Sequence, residues 1–127
     1  MEKRFFFGVI LLILLFAIGI AAGLGMRTVH HPAEKLLEQA RELALSGDLS
    51  GAIALSEQAE DRWQKSWAFT AATADHGPMD DVDQLFAELS VYARAEDTAH
   101  FAACCGQLSV LLRAMYDAHS LTLWNLL

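Results

Sequence analysis

The sequence predicts an all-α protein: one N-terminal transmembrane helix followed by a small antiparallel bundle of two helical hairpins, about four helices. The chain has 127 residues, a formal net charge of −7 and a mean hydropathy of +0.29. Its 22-residue segment Phe5–Met26 contains no charged residue. After this segment, apolar residues recur at steps of three and four, and no run alternates in the manner of a strand. The apolar helix therefore accounts for the positive mean hydropathy, and an acidic helical domain accounts for the negative net charge.

The segment 5–26 is long enough to cross a membrane. Twenty-two residues form a helix about 33 Å long, against a hydrocarbon core of about 30 Å. We interpret it as an anchor, because the apolar run exceeds that of a cleaved signal peptide. The alternative, a domain secreted after cleavage, stays open because Ala21-Ala22-Gly23 offers small residues.

Positive charge next to the anchor predicts its orientation. Lys3 and Arg4 lie in the short tail 1–4, whereas only Arg27 lies close to the other end. The sequence thus predicts a single-pass cell-membrane protein with a cytoplasmic N-terminus and an extracytoplasmic domain. The spacing of Gly19 and Gly23 leaves association between two copies open.

The rest of the chain divides into a collar (27–32), a helical bundle domain (33–119) and an apolar C-terminal tail (120–127). Pro32 suits the first turn of a helix, since a missing N–H is harmless there. Gly47 and the Gly77-Pro78 pair predict helix ends, the second helix ending near Thr73. The two hairpins align at an offset of 49, which pairs Leu36 with Leu85, Leu43 with Tyr92, Asp48 with Asp97, Ala52 with Phe101 and Gln58 with Gln107.

Few residues suggest chemistry. His100 and Cys104 have the i, i+4 spacing of two metal ligands, but a zinc site needs further ligands, so we predict no metal and no cofactor. Adjacent cysteines are poorly placed to pair with each other, and we expect Cys104 and Cys105 to be buried, with Cys105 the more exposed. An intermolecular disulfide through Cys105 is the main alternative.

Three residues are predicted to have structural roles. Trp63 and Trp67 share a face of the second helix and are expected in the core, with a partner-binding platform as the alternative. His76 is expected to cap the carboxyl end of that helix.

The apolar tail has two interpretations. It packs back on the bundle, or it presents Leu123, Trp124, Leu126 and Leu127 to a membrane surface or partner.

From Ser46 onward, the sequence resembles a family of small bacterial single-span membrane proteins with a helical extracytoplasmic domain of unknown function. The matching features are Gly47-Asp48, Trp63 and Trp67 around Lys65, Asp75-His76, and the closing Leu121–Leu127. The resemblance implies one span, a helical outer domain and no established activity. The alanine content and the Cys104-Cys105 pair depart from the family pattern.

The sequence contains no motif for catalysis, and its negative charge opposes nucleic-acid binding. We therefore expect a non-enzymatic accessory protein that contacts the bilayer through Phe5–Met26 and binds another membrane or envelope protein. A metal- or ligand-sensing domain using His76, His100 and Cys104 is the second hypothesis. A hydrolase of envelope polymers, with paired carboxylates in a groove, is the third.

Overall fold

The computed structural model describes residues 2–73 and 76–125, without the side chains at 22, 23, 26, 73 and 118–125. Within these ranges the only regular secondary structure is α-helix. The helices are α1 (Glu2–Leu45), α2 (Leu49–Thr73), α3 (His76–Arg94) and α4 (Thr98–Asn125). The predicted all-α class is confirmed, and α2 ends where the sequence predicts its end.

The predicted anchor and the predicted first bundle helix form one continuous helix of 44 residues. The described part of the chain therefore has four helices, where the sequence predicts an anchor and about four more. The expected collar (27–32) is helical, and Pro32 lies inside α1 instead of in its first turn. Burial holds the helix together after the proline, because Ala33, Leu37 and Ala40 are all inside the core.

The two hairpin turns have the same hydrogen-bond pattern. At the α1–α2 turn the Asp48 N–H donates to the Leu43 carbonyl, and at the α3–α4 turn the Asp97 N–H donates to the Tyr92 carbonyl. Each aspartate then accepts from a backbone N–H three residues later, at 2.9 Å and 3.2 Å respectively, as an N-cap does. The 49-residue symmetry of the sequence is thus present in the structure.

Neighbouring helices run antiparallel. Along α1 and α4, Glu34 contacts Arg113 and Arg41 lies near Gly106, so residue numbers rise on one helix as they fall on the other. Helix α1 packs mainly against α4 and α2, whereas α3 packs mainly against α4. Apolar side chains between the helices form one core, the largest being Trp63, Phe101, Leu37, Met79, Leu108 and Leu112.

The fourth helix is longer than predicted. It continues to Asn125, so most of the expected tail (120–127) belongs to α4 instead of following it. No proline or glycine lies between Gly106 and the end of the chain, so nothing local ends the helix near His119.

Candidate functional site

The main polar feature of the bundle lies between α1 and α4, just beyond the apolar segment. We call it the polar cluster; it consists of His31, Glu34, Glu38, Arg113 and Tyr116. The Glu34 side chain is only 3% exposed. Its Oε1 accepts from Arg113 Nε at 2.7 Å and lies 2.6 Å from Arg113 Nη2, while its Oε2 accepts from the Tyr116 hydroxyl at 2.5 Å. Arg113 also donates to Glu38, at 2.9 Å.

The surrounding donors keep the buried carboxylate ionised. Burial alone raises the pKa of Glu34, but hydrogen bonds from Tyr116 and Arg113, together with the positive charge of Arg113, outweigh it and lower the pKa below its usual value. Burial and the bond to Glu34 raise the pKa of Tyr116, so its hydroxyl stays protonated as a donor. A carboxylate with both oxygens engaged is a structural tie between α1 and α4, not a free general base.

A second buried group connects α1 to α2. His30 is 1% exposed, its Nε2 lies 3.1 Å from Thr70 Oγ1, and its ring centroid lies 5.5 Å from that of Trp63. Its Nδ1 is buried without a hydrogen-bond partner in the described part of the chain. Burial lowers the pKa of His30 to about 4, so the ring is neutral at physiological pH.

The structure buries only one of the two tryptophans that are predicted to lie in the core. Trp63 is fully buried, and its Nε1 donates to Asp83 Oδ1 at 2.6 Å, a contact between α2 and α3. Trp67, one turn further along α2, is 41% exposed. His76 is the exposed first residue of α3, not a residue of the last turn of α2 where we expected its capping role.

The residues weighed as metal ligands have other partners. His100 is exposed, pairs with Asp97 through Nδ1 at 2.7 Å and stacks on Tyr92. The Cys104 thiol donates to the Leu85 carbonyl at 3.2 Å. Among the described residues, no three His, Cys, Asp or Glu side chains are grouped so as to hold a metal.

Both cysteines are buried, as predicted, but their order is reversed. Cys105 is 0% exposed and Cys104 is 3% exposed, so the expectation that Cys105 is the more exposed is wrong. The cause is that Cys105 faces the same interior as Leu108 and Leu112, at steps of three and seven. Burial raises the pKa of Cys104 to about 11 and that of Cys105 to about 12, which keeps both thiols protonated and weakly nucleophilic.

The predicted partner-binding residues are only partly covered by the structure. Leu123 and Trp124 lie in the last turns of α4, and their side chains are not among those described. Leu126 and Leu127 lie outside the described residues.

A surface groove runs between α1, α3 and α4 and has a volume of about 790 Å³. Its lining includes small residues of α4, among them Ala103, Gly106 and Ala114, and the charged side chains of Arg41, Asp81 and Glu88. The described residues of its lining contain the carboxylates of Asp81 and Glu88 but no hydroxyl, thiol or imidazole group, and the residues of the polar cluster do not line it.

The polar cluster was not found from the sequence. Glu34 lies three residues before the buried Leu37, so its position near the apolar face was visible. Its partners lie 79 and 82 residues further along the chain. Pairing them requires the register of α1 against α4, which helix periodicity does not provide.

A family model described as a domain of unknown function, DUF4363, matches residues 26–126, about four fifths of the chain. The chain belongs to the DUF4363 family. The expected membership of a family of unknown function is thereby confirmed, while its bacterial character stays a prediction. No curated protein and no solved structure matches the chain.

The DUF4363 match begins at Met26, where the charge-free segment ends, so it covers the bundle and its polar cluster. The part of the chain before it contains Glu2–Ala21, the one stretch of the described residues that is long and apolar enough to cross a membrane. A signal sequence passes the same test of length and composition.

Proposed function

We propose that this DUF4363 protein is a single-pass membrane protein whose helical domain lies outside the cytoplasm and acts by non-catalytic contact with another membrane or envelope protein. The continuity of α1 carries the proposal. Side chains from Phe5 to Ile18 are largely exposed, and the same helix then enters the core at His30 and Ala33. An exposed apolar surface of this size calls for a lipid environment.

The polar cluster supports a mechanical role for this helix. Because Glu34 binds two side chains of α4, the apolar segment is attached to the bundle through a continuous helix and through an ion pair between the buried Glu34 and the half-exposed Arg113. A partner bound to the bundle would therefore be held at a fixed height and rotation relative to the membrane. This role requires the apolar segment to stay attached to the bundle. We therefore favour an uncleaved anchor over a signal peptide.

Topology is tested by a reporter fused after Leu127 that is active only outside the cytoplasm. We expect activity with this reporter and none with a cytoplasmic reporter at the same position. The reverse result would overturn the orientation. The mass of the membrane-bound chain tests the secreted alternative, because cleavage near Ala21-Ala22-Gly23 would shorten it by about a sixth.

The partner is tested by photo-crosslinking in intact membranes. The crosslinker replaces Trp124, in the predicted partner-binding segment, or Val110, which is 64% exposed beside the groove. Gln58, exposed on α2, is the control position. We expect one dominant adduct with a membrane or envelope protein from at least one of the first two positions and none from the control. Equal, diffuse labelling from all three positions would contradict a specific partner.

The metal-sensing alternative has a direct test in the purified full-length chain. Stoichiometric zinc that disappears in the His100→Ala variant would favour a sensor over a purely protein-binding role. We expect no such zinc, because the side chains of His100 and Cys104 are engaged by Asp97 and by the Leu85 carbonyl.

A further inference from the structure

Contacts between helices fix the level of each residue relative to α1. The contacts of Gly25 with Phe69, of His30 with Trp63 and of His30 with Thr70 show that α2 runs antiparallel to α1. Taken together, these contacts place Lys65 level with about His31.

The register of α4 follows in the same way. Arg113 meets Glu34, and Tyr116 meets both Glu34 and His31. Asp117 therefore lies level with about His30, and the backbone of Asn125 lies level with about Ala22. Both α2 and α4 thus extend back alongside about the last turn of the apolar segment.

In α1, α2 and α4 the charged residues stop at a common level along the bundle. Arg27 is the first charged residue of α1 after the apolar segment, Lys65 is the last in α2 and Asp117 is the last in α4. These three positions fall within about one helical turn of one another in the registers above. On the anchor side of this level, 66–73 in α2 and 118–125 in α4 contain no Asp, Glu, Lys or Arg. A shared boundary of this kind indicates a boundary between water and an apolar medium.

Exposed aromatic side chains lie on the anchor side of that boundary. Trp67 and Phe69 are 41% and 40% exposed, and the tip of the Phe69 ring is so close to Gly25 that a Cβ there would lie 3.0 Å from Cζ. Phe5–Leu24 is a helix of about 30 Å, the thickness of the hydrocarbon core, so Gly25 marks its outer edge. Tryptophan and other aromatic residues are enriched at this depth in membrane proteins.

We propose that the bundle is seated on the bilayer, with the last turns of α2 and α4 in the interfacial region of the leaflet that α1 leaves, and with Trp67 and Phe69 in contact with lipid. The inference rests on the proposed anchor. It adds a lipid-binding surface made of residues distant in sequence from the span, and it fixes the height of the domain: the polar cluster lies directly above the headgroups.

The test measures tryptophan fluorescence of the full-length chain in phosphatidylcholine vesicles. In the Trp124→Phe background only Trp63 and Trp67 emit. Lipids brominated near the carbonyl end of the acyl chains should quench the Trp67 contribution roughly twofold or more, because these bromines lie at the interfacial depth. Adding Trp67→Phe should remove most of that quenching, since Trp63 is buried in the core.

A matched control places a tryptophan on the same helix further from the membrane. Gln58→Trp, in a chain that also carries Trp67→Phe and Trp124→Phe, puts an exposed emitter above the charge boundary. Aqueous iodide should quench this emitter, and brominated lipid should not. Circular dichroism of each variant verifies that the helical content is unchanged.

The failure of this inference is distinguishable from that of the anchor. If the chain stays in carbonate-washed vesicles but Trp67 is quenched by iodide and not by brominated lipid, the anchor stands and the seating is wrong. If Trp67 is shielded from both quenchers, a second protein copy covers it and the lipid contact is likewise overturned. If the chain leaves the vesicles, the anchor fails, and the seating fails with it.

Discussion

Glu34 keeps its negative charge inside the bundle because donors from α4 occupy both of its oxygens. Arg113 donates its Nε–H to Oε1 and places the charged Nη2 2.6 Å from the same oxygen, and the Tyr116 hydroxyl donates to Oε2. If one of these partners were removed, the buried carboxylate would remain desolvated with an unsatisfied oxygen, and the folded protein would be less stable. The stability of the α1–α4 contact therefore depends on Tyr116, whose ring is also packed against His31.

Replacing Tyr116 with Phe should destabilise the protein. The substitution keeps the ring and removes only the bond to an ionised acceptor, which is worth about 2 kcal/mol. Thermal or denaturant unfolding of the full-length chain in micelles at pH 7 measures the loss. Tyr92→Phe is the matched control, because no hydrogen bond of its hydroxyl is found among the described residues. Equal losses in the two variants would contradict the assigned role of the Tyr116 hydroxyl.

His30 makes stability depend on pH. Its pKa is about 4 in the folded protein against 6.5 in the unfolded chain, so the unfolded chain binds the proton first. Stability is therefore fully present above pH 6.5 and decreases as pH falls toward 4. The difference between the two pKa values corresponds to about 3 kcal/mol at full titration.

His30→Asn should remove this dependence while keeping a polar partner for Thr70. The measurement compares unfolding temperatures of the two chains between pH 7 and 4. Carboxylates titrate in both chains near the lower end, and taking the difference between chains cancels their effect. Parallel pH profiles for the two chains would show that His30 is not protonated on unfolding.

The two hairpin turns have different residue types in the same left-handed conformation at equivalent positions. Gly47 has a φ of 97° and Glu96, 49 residues later, has a φ of 55°. Both are left-handed, a conformation that costs a side chain about 1–2 kcal/mol and costs glycine little.

Glu96→Gly should therefore stabilise the protein by about 0.5–1 kcal/mol, after allowance for the larger freedom of glycine in the unfolded chain. Gly47→Ala should destabilise it by a similar amount. Unfolding midpoints of the two variants give the test. A loss of stability in Glu96→Gly would mean that its side chain contributes more than its backbone costs.

The turns and helix faces were predictable from the sequence because they depend on residues close together in the chain. Gly47-Asp48 and the recurrence of apolar residues at steps of three and four are local signals, and the second hairpin repeats the pattern 49 residues later. The continuity of α1 was not predictable, because a proline such as Pro32 is typical of the first turn of a helix. In the structure the helix continues through Pro32, and the burial of Ala33 and Leu37 in the core stabilises the residues that follow it. The predicted end of α4 near His119 is wrong because the apolar segment that follows contains no helix-stop signal and continues the helix to Asn125.

The candidate site was predicted least well. Trp63 was correctly placed in the core, but its bond to Asp83 crosses between helices. The Glu34–Arg113 pair likewise depends on tertiary register. Periodicity shows which residues face inward and not which residues they meet, so it does not reveal the partner of a buried charge.

At the scale of the whole molecule, contact between helices is uneven. Helix α1 packs extensively against both α2 and α4, whereas α2 and α3 touch little beyond the Trp63–Asp83 hydrogen bond. Helix α3 is held chiefly by α4. Regions with few buried contacts open locally at lower free energy than the core of the same protein. The bundle is thus a stable α1–α2–α4 unit to which α3 is more weakly attached.

Hydrogen exchange of the full-length chain in vesicles should reveal this order. Amides of α3 between Asp80 and Arg94 should exchange faster than those of α1 between Ala33 and Ala44 and those of α4 between Cys104 and Arg113. Asp83→Ala should accelerate exchange in α3 further and change α1 little, because it removes the one described polar bond between α2 and α3. Uniform exchange in all three segments would instead mean that the four helices open together despite the sparse contact between α2 and α3.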